Sequence, residues 1–400
     1  MPRRAAIAFI FVTVVIDVLA MGVIIPVLPK LVEGFMGGDT ARAAAIYGVF
    51  GTVWALMQFT CSPILGALSD HVGRRPVILI SCLGLGLDYV FMAMAPTLGW
   101  LFVGRVISGI TSASMATAFA YIADVTPPEK RAGSFGIMGA AFGLGFVLGP
   151  ALGGLLGSID PRLPFWVSAA LALANTMYGF FVLPESLRCD QRSTFSWRKA
   201  NPLGSLELLR SHHELFGLAG VAALYYLAHT VLPSMFVLYA GYRYAWDART
   251  VGITLAIVGV CSMIVQGGLV KPLVGRFGER ATLLAGLTAG TIGFTAYALA
   301  GTGRMIWVFT PVLACMGIFS PSLQALMSRR VQPHEQGKLQ GANASIMGIT
   351  GLFGPALFTQ AFSRAITPGS GVHLPGAPFF VAGALVFLAL VLATRVTRFS

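Results

Sequence analysis

Gly149-Pro150-Ala151-Leu152 recurs further along the chain as Gly354-Pro355-Ala356-Leu357, an offset of 205 residues. One shared tetrapeptide would mean little in a chain with 48 glycines among 400 residues. The spacing repeats, however. Pro128 matches Pro333, Gly136 matches Gly341, Gly143 matches Gly348, and Gly73 with Arg75 matches Gly278 with Arg280, all at 205, while Gly48 meets Gly252 at 204. Several matches on one spacing identify a duplication. The chain is therefore read as two halves, residues 1–183 and 214–400, joined by a polar stretch at 184–213 that holds Arg188, Asp190, Arg192, Arg198, Lys199 and Arg210.

Composition says what the halves are. Charged residues make up 10% of the chain, hydrophobic residues 56%, and mean hydropathy is +0.79. Ordinary soluble domains carry about 25% charged residues, and so little polar surface cannot cover a soluble fold. Glycine abundance suits membrane helices, where small residues let backbones approach. A spanning helix needs roughly 20 apolar residues. Twelve such runs are centred near residues 18, 56, 86, 110, 145, 173, 226, 260, 291, 316, 350 and 386. The first follows Arg3-Arg4, is longer than a signal-peptide core, and is read as a retained helix. The expected fold is an all-α membrane protein of twelve transmembrane helices in two six-helix halves.

Lysine and arginine placement gives the orientation. With the N-terminus in the cytoplasm, 19 of the 27 Lys and Arg fall inside, seven outside, and Arg105 within a helix. Both termini are then cytoplasmic, and the chain is read as an inner-membrane protein. The net charge of +12 is this bias and not a nucleic-acid footprint, which would need a clustered basic face. Cys61, Cys82, Cys261 and Cys315 fall in spans and Cys189 in a loop, without metal or disulfide spacing; they read as packing residues. No metal site is expected. With an even number of spans per half, the repeats are parallel, and a substrate site is expected between the halves near the midplane, worked by alternating access.

A charge at mid-bilayer costs about 2.5–3.5 kcal/mol, so each one is a functional candidate. Asp17 lies in the middle of the first span, Asp88 in the third, and Arg105 early in the fourth. Asp17 is the expected proton carrier, with Arg105 modulating it; the bland alternative is a hydrogen-bonded structural acid. Asp88 reads equally as functional or structural. The second half has no Asp, Glu, Lys or Arg at the centre of a span; its polar candidates are His229, Ser262, Gln266, Gln324, Asn343 and Ser345. That asymmetry suggests that the first half carries the titratable charge and the second lines a substrate path. His229 reads first as a satisfied interior histidine and second as a proton relay.

Two further patterns stand out. Gly143, Gly145, Gly149, Gly153 and Gly154 give one helix a smooth face, on which Pro150 removes a hydrogen bond and permits a bend. The loop Gly66-Ala-Leu-Ser-Asp70-His71-Val-Gly73-Arg74-Arg75-Pro76 places Asp70 and Arg74 four apart, within reach of Asp124 at the end of the fourth span. A cluster of that kind, breaking as the halves rock, would be a latch.

These stretches resemble the major facilitator superfamily, and within it the drug:proton antiporters. Gly66 to Pro76 resembles the superfamily's loop signature, Gly104 to Gly109 its fourth-helix motif, and Phe142 to Gly154 (FGLGFVLGPALGG) the fifth-helix antiporter motif. The resemblance extends to the tetracycline efflux proteins of Gram-negative bacteria through GVIIPVLP (22–29), ALMQF (55–59), LDY (87–89), AYIAD (120–124), LPES (183–186), HEQGKLQG (334–341) and GPALFT (354–359). It implies that Asp17 is essential, that Gln58, Asp88 and Arg105 are polar groups of a first-half cavity, and that Gly66, Asp70, Gly73, Arg74, Arg75 and Asp124 form a gating loop. It implies an antiporter motif at Gly145, Gly149, Pro150, Gly153 and Gly154. The chain departs from the family at three points: Ala289-Gly290 stands where the ninth helix usually carries Ala-Asp, Ser262 where the eighth carries a histidine, and His71 where the loop has its first Arg.

The function expected is proton-coupled export of an amphipathic, tetracycline-like drug. Another drug (quinolone-like), an endogenous metabolite, or uncoupled facilitation are the alternatives. An enzyme is not expected, since no nucleophile–base pair, metal cluster or phosphate loop stands out, and no Gly-x-x-x-x-Gly-Lys-Ser/Thr sequence supports ATP-driven pumping. The expected partners are a small-molecule drug, alone or as a Mg–drug complex, and the lipid bilayer. No cofactor beyond the coupling proton and no nucleic acid are expected, and the working unit is a monomer.

Overall fold

The computed structural model describes residues 3–111, 114–127, 131–187, 190, 192–195, 197, 201–202, 204–206, 208, 213–332, 335–368 and 373–397. Pro128, Pro333, His334, Arg188, Cys189, Arg198, Lys199 and Arg210 lie outside the described residues. Among those described, the regular structure is all helical: α1 (Arg3–Ile24), α2 (Leu28–Phe35), α3 (Thr40–Val72), α4 (Arg74–Ala93), α5 (Leu98–Thr111), α6 (Ser114–Val125), α7 (Arg131–Ile159) and α8 (Leu163–Val182). There follow α9 (His213–His229), α10 (Val231–Tyr244), α11 (Ala248–Ile264), α12 (Val270–Leu299), α13 (Gly303–Ala314), α14 (Phe319–Ser328), α15 (Gln336–Ile366) and α16 (Ala377–Val396).

Among the described residues, ten helical stretches are long and apolar enough to cross a membrane. One of them, Ala248–Leu299, runs for 52 residues and turns at Gly278 (φ 79°, ψ 166°), so that it makes two passages. Leu98–Thr111 followed by Ser114–Val125 provides the remaining one. Twelve passages result, and the chain is a multi-pass, all-helical membrane protein.

Two compact units are present. The first comprises Met1–Phe35, Val53–Pro202 and Asp247–Ala256; the second comprises Met36–Thr52, Leu203–Trp246 and Ile257–Ser400. Helices α3 and α11 each contribute to both.

In the first unit, α1 lies against α7 and α8. Apolar side chains gain nothing from leaving lipid for one another, so small residues and buried polar bonds have to hold such helices together. The α1–α7 contact is glycine on glycine: a Cβ added at Gly149 would stand 2.7 Å from the Gly22 Cα, and one at Gly145 would stand 2.7 Å from the Val18 Cβ. Across the other face of α1, Ser168 Oγ donates to the Ala20 carbonyl (2.7 Å) and Asn175 Nδ2 to the Thr13 carbonyl (2.9 Å). Both donors are buried and come from α8. Helix α1 is thus clamped on two sides at the level of its acid. Pro164 sits in the first turn of α8, where its missing N–H costs nothing.

In the second unit, α12 packs on α16, and α9 packs on α16 and α15. Two passages are interrupted. Residues Val265–Leu269 form a π-helical turn between α11 and α12, and Cys315–Ile318 form a 3-10 turn between α13 and α14. The two irregular turns face each other.

Candidate functional site

Asp17 is 5% exposed, at mid-helix in α1. The buried Cys82 thiol on α4 points at Asp17 Oδ1 (3.9 Å) and accepts from Asn175 Nδ2 (3.8 Å). The same Asn175 amide holds α1 through Thr13, so the polar core of this unit links α1, α4 and α8. Tyr89, fully buried one residue beyond Asp88, feels the charges of Asp17, Asp88 and Arg105 together. Asp88 is 1% exposed, and neither carboxylate oxygen has a hydrogen-bond partner within the protein. It lies in the field of Arg105, whose guanidinium sits 5.4 Å from the Trp54 ring centroid. Gln58, one turn from Trp54 on α3, is half-buried. The three expected charges therefore fall in one unit, around Tyr89. Cys82 does more there than pack, and Cys82, Asn175 and Trp54 were not singled out from the sequence as members of this core. A thiol and an amide in apolar runs carry no signal that separates them from packing residues until their neighbour is known to be an acid.

The loop between α3 and α4 gathers its residues as expected and adds one. Arg74, buried, bridges Asp70 Oδ1 (2.5 Å) and Asp124 Oδ2 (3.1 Å), and donates to Ser69 Oγ (2.6 Å). Ser186 Oγ donates to the same Asp124 oxygen (3.1 Å). The addition is Glu185. Its Oε1 accepts from the Arg74 backbone N–H (2.9 Å) and Oε2 from that of Arg75 (3.3 Å). These are orphan donors at the start of α4, where helix dipole and unpaired N–H groups favour an anion. Gly73 makes this possible: its φ is 115°, and a Cβ there would stand 2.9 Å from the Glu185 carboxyl carbon. Arg75 turns away to the α8 end, donating to the Phe180 carbonyl (2.5 Å). His71 Nδ1 is 3.1 Å from the Ser193 carbonyl, and Ser193 N donates to the Asp70 carbonyl (3.0 Å). Nothing lies within 4 Å of a Cβ added at Gly66.

An echo of this cluster occurs in the second unit at the repeat spacing. Glu279 and Arg329 form an ion pair where the first half has Arg74 and Asp124. Both signs are inverted.

The glycine face of α7 packs along α1 through Gly145, Gly149 and Gly153, and meets α11 through Gly154, where an added Cβ would stand 2.9 Å from the Gly252 Cα. Pro150 lies within α7, and Pro355, its repeat partner, within α15.

The expected substrate-path residues of the second unit divide into two groups. His229, Ser262 and Gln266 line one cavity of about 190 Å³ together with Tyr225, Tyr297 and Ser320. Asn343 Nδ2 donates to Gln324 Oε1 (2.9 Å), a separate pair one helical turn beyond Ser320. Ser345 is buried on α15 and donates to the Gly341 carbonyl. Gly290 is backed by the Met316 side chain: a Cβ there would stand 2.6 Å from its sulfur, so a larger residue requires that side chain to shift. Among the described residues no group of three His, Cys, Asp or Glu could hold a metal ion.

Helices held by glycine contacts, with acids and an arginine sequestered mid-span, make up a membrane carrier. The Major Facilitator Superfamily matches residues 10–355, and the chain belongs to that superfamily of transporters. It is similar to the tetracycline resistance protein, class C, of Escherichia coli: 37% identical over 395 residues, covering 99% of this chain and 98% of the relative. The class G protein of Vibrio anguillarum is 37% identical over 376 residues, covering 93% of each chain. Among solved structures, the nucleoside transporter NupG matches with a TM-score of 0.76 at 14% identity, over 99% of this chain and 100% of that one. The human organic anion transporter MFSD10 (TETRAN) matches with a TM-score of 0.72 at 21% identity, over 98% and 100%. Those two likenesses concern the fold alone.

Proposed function

We propose that the chain exports an amphipathic drug of the tetracycline class from the cytoplasm across the inner membrane in exchange for protons, as a monomer with both termini cytoplasmic. One observation carries this reading: Asp17 is buried at mid-span on the helix that packs backbone to backbone against the Gly-Pro helix α7. A buried carboxylate is costly as an anion and inexpensive once protonated. Protonation of Asp17 would therefore change how α1 sits against a neighbour that meets it largely through glycines. Proton entry is favoured by about 2.3 kcal/mol per charge per 100 mV, enough to sustain a modest drug gradient. Asp88, with no hydrogen-bond partner of its own in the protein, and Arg105 share with Asp17 the surroundings of the buried Tyr89. The names of the relatives supply the drug class.

A second reading concerns the substrate. Gly290 is packed against Met316, and no Asp, Glu, Lys or Arg lies at the centre of a second-half span. This favours a drug taken up without bound Mg²⁺, or a different drug on the same antiport mechanism. The test uses everted membrane vesicles energised by respiration, with an internal-pH dye and tetracycline added with and without Mg²⁺. Tetracycline should release protons from wild type and not from Asp17→Asn. Release that persists in Asp17→Asn would refute Asp17 as the carrier, and silence with tetracycline alongside a response to another drug would move the substrate.

A further inference from the structure

We propose that the cavity between the π-helical turn Val265–Leu269 and the 3-10 turn Cys315–Ile318 is a subsite for a single hydroxylated aromatic ring, the phenolic end of the exported molecule. The export of such a molecule rests on the function proposed above; the cavity and its chemistry do not.

Size comes first. A cavity of about 150 Å³ holds a benzene ring, and this one measures about 190 Å³. It admits one ring and its substituent, and excludes a fused polycycle, the rest of which would lie outside.

Chemistry comes second. His229 lies deep among the helices, yet its side chain is accessible, so it faces a void and not packed neighbours. Among the described residues, His229, Ser262 and Gln266 make no hydrogen bond to protein. By contrast the tyrosine hydroxyls on the wall are already engaged: Tyr225 donates to the Met316 carbonyl (3.4 Å), and the Tyr297 hydroxyl meets Thr310 Oγ1 (2.7 Å). Three open polar groups in a membrane bundle are costly unless something bonds to them. A phenol answers all three. Its O–H donates to the imidazole nitrogen of His229 or to Gln266 Oε1, and its oxygen accepts from Ser262 Oγ or Gln266 Nε2.

Shape comes third. Tyr225 stacks on Phe319 (centroids 3.9 Å apart, planes at 21°) and lies face-on to His229 (6.0 Å, 26°). Tyr225 is itself covered, only 4% exposed, and the accessible His229 ring, backed by that stack, is the flat surface that another ring would meet. The wall opposite is made by two helix irregularities, and a π turn within a helix frequently marks a functional site. Here the π turn carries Gln266, and the 3-10 turn brings Met316 and Gly317 to the other side.

Gly317 gives the means of testing this. A Cβ at Gly317 would meet Gln266 Cγ at 3.7 Å, an ordinary contact, and its φ is not in the left-handed region. Gly317→Leu therefore fills the cavity while leaving its polar walls in place. Binding of 4-fluorophenol to the full-length protein in detergent, followed by ¹⁹F NMR, should be saturable in wild type. It should be lost in Gly317→Leu and weakened about tenfold in Gln266→Leu, the scale of one buried hydrogen-bonding partner. Fluorobenzene should bind much more weakly. In vesicles, Gly317→Leu should raise the half-saturating tetracycline concentration at least tenfold while proton release at saturating drug, and its dependence on Asp17, remain.

Equal binding of fluorobenzene and 4-fluorophenol would overturn the role of the hydroxyl. Unchanged 4-fluorophenol binding in both Gly317→Leu and Gln266→Leu would overturn the subsite, leaving the cavity to water. Saturable phenol binding abolished by Gly317→Leu, in a protein that releases no protons on tetracycline, would uphold the subsite and refute the drug reading. Should Gly317→Leu lower the melting temperature so far that it does not purify, Gln266→Leu decides.

Discussion

Replacing Gly73 by alanine should do two separable kinds of damage. Gly73 is held at φ 115°, ψ 158°, a region essentially reserved for glycine, and forcing alanine there costs about 1–3 kcal/mol. The new Cβ would also stand 2.9 Å from the Glu185 carboxyl carbon, closer than real Cβ atoms approach. Glu185 must then release the Arg74 and Arg75 backbone N–H groups. Because Glu185 is exposed, water takes over part of each bond, so about 0.5–1.5 kcal/mol is lost per bond. The total, about 2–6 kcal/mol, should lower the melting temperature of the purified protein by about 2–7 °C in a fluorescence-detected unfolding experiment. The discriminating measurement is the double-mutant cycle. Glu185→Ala alone loses the cap and none of the backbone strain, so in its background Gly73→Ala should cost only the strain. The two changes should combine sub-additively, by about 1–3 kcal/mol. Strict additivity would mean that Glu185 does not cap α4, and the account of Gly73 as the residue that admits it would fall.

Other expectations follow from the same geometry. Gly149→Leu drives a side chain into the Gly22 backbone and should abolish recovery of monodisperse protein, while Gly66→Ala, with nothing within 4 Å, should leave yield and melting temperature unchanged; size-exclusion chromatography reads both. The Glu279–Arg329 pair is exposed on its arginine side, so Glu279→Arg and Arg329→Glu should each cost no more than about 1 kcal/mol in thermal unfolding, and the combined exchange should restore most of it. Asp247, before α11, has its carboxyl held below the usual carboxylate range by hydrogen bonds from the Thr250 side chain and backbone. The sign follows: its stabilisation is present above the unfolded value near pH 3.9 and is lost as pH falls further through the folded value. Asp247→Ala should thus lower the melting temperature at pH 7, with the difference from wild type vanishing only below about pH 4.

Much of this architecture was legible in the sequence because membrane helices announce themselves by length and apolarity. The passages fall where the apolar runs place them, and Asp70, Arg74 and Asp124 meet as their spacing and loop positions suggested. Glycine spacing at Gly145, Gly149 and Gly153 foretold a close contact, and which helix fills it (α1) came only from the fold. Three kinds of feature were not legible. Glu185 follows a helix end like any solvated acid, and only the positive φ of Gly73 gives it a purpose. The π turn at Val265–Leu269 sits in a run whose hydropathy is indistinguishable from regular helix, since the hydrogen-bond register is set by packing and not by apolarity. The division of α3 and α11 between the two units depends on contacts such as Gly48 with Thr359 and Gly154 with Gly252, which have no sequence signature beyond small size.

The inverted pair, Arg74–Asp124 against Glu279–Arg329, bears on how the duplicated halves grew apart. Self-comparison by residue identity scores those positions as losses, although an attraction persists at each. An exchange of sign passes through an intermediate in which two like charges face each other. Where both partners are partly solvated, as at Glu279 and Arg329, that intermediate is only mildly destabilised and the exchange is open. The first half's version is anchored by Ser69, Asp70 and Ser186 as well, so that reversing Arg74 would strand several groups at once. Of the two contacts at paired positions, the one enmeshed in a network is the harder to reverse, and the solitary one the easier. A search for old internal duplications in membrane proteins would then gain from scoring opposite charges at paired positions as matches, whichever way round they stand.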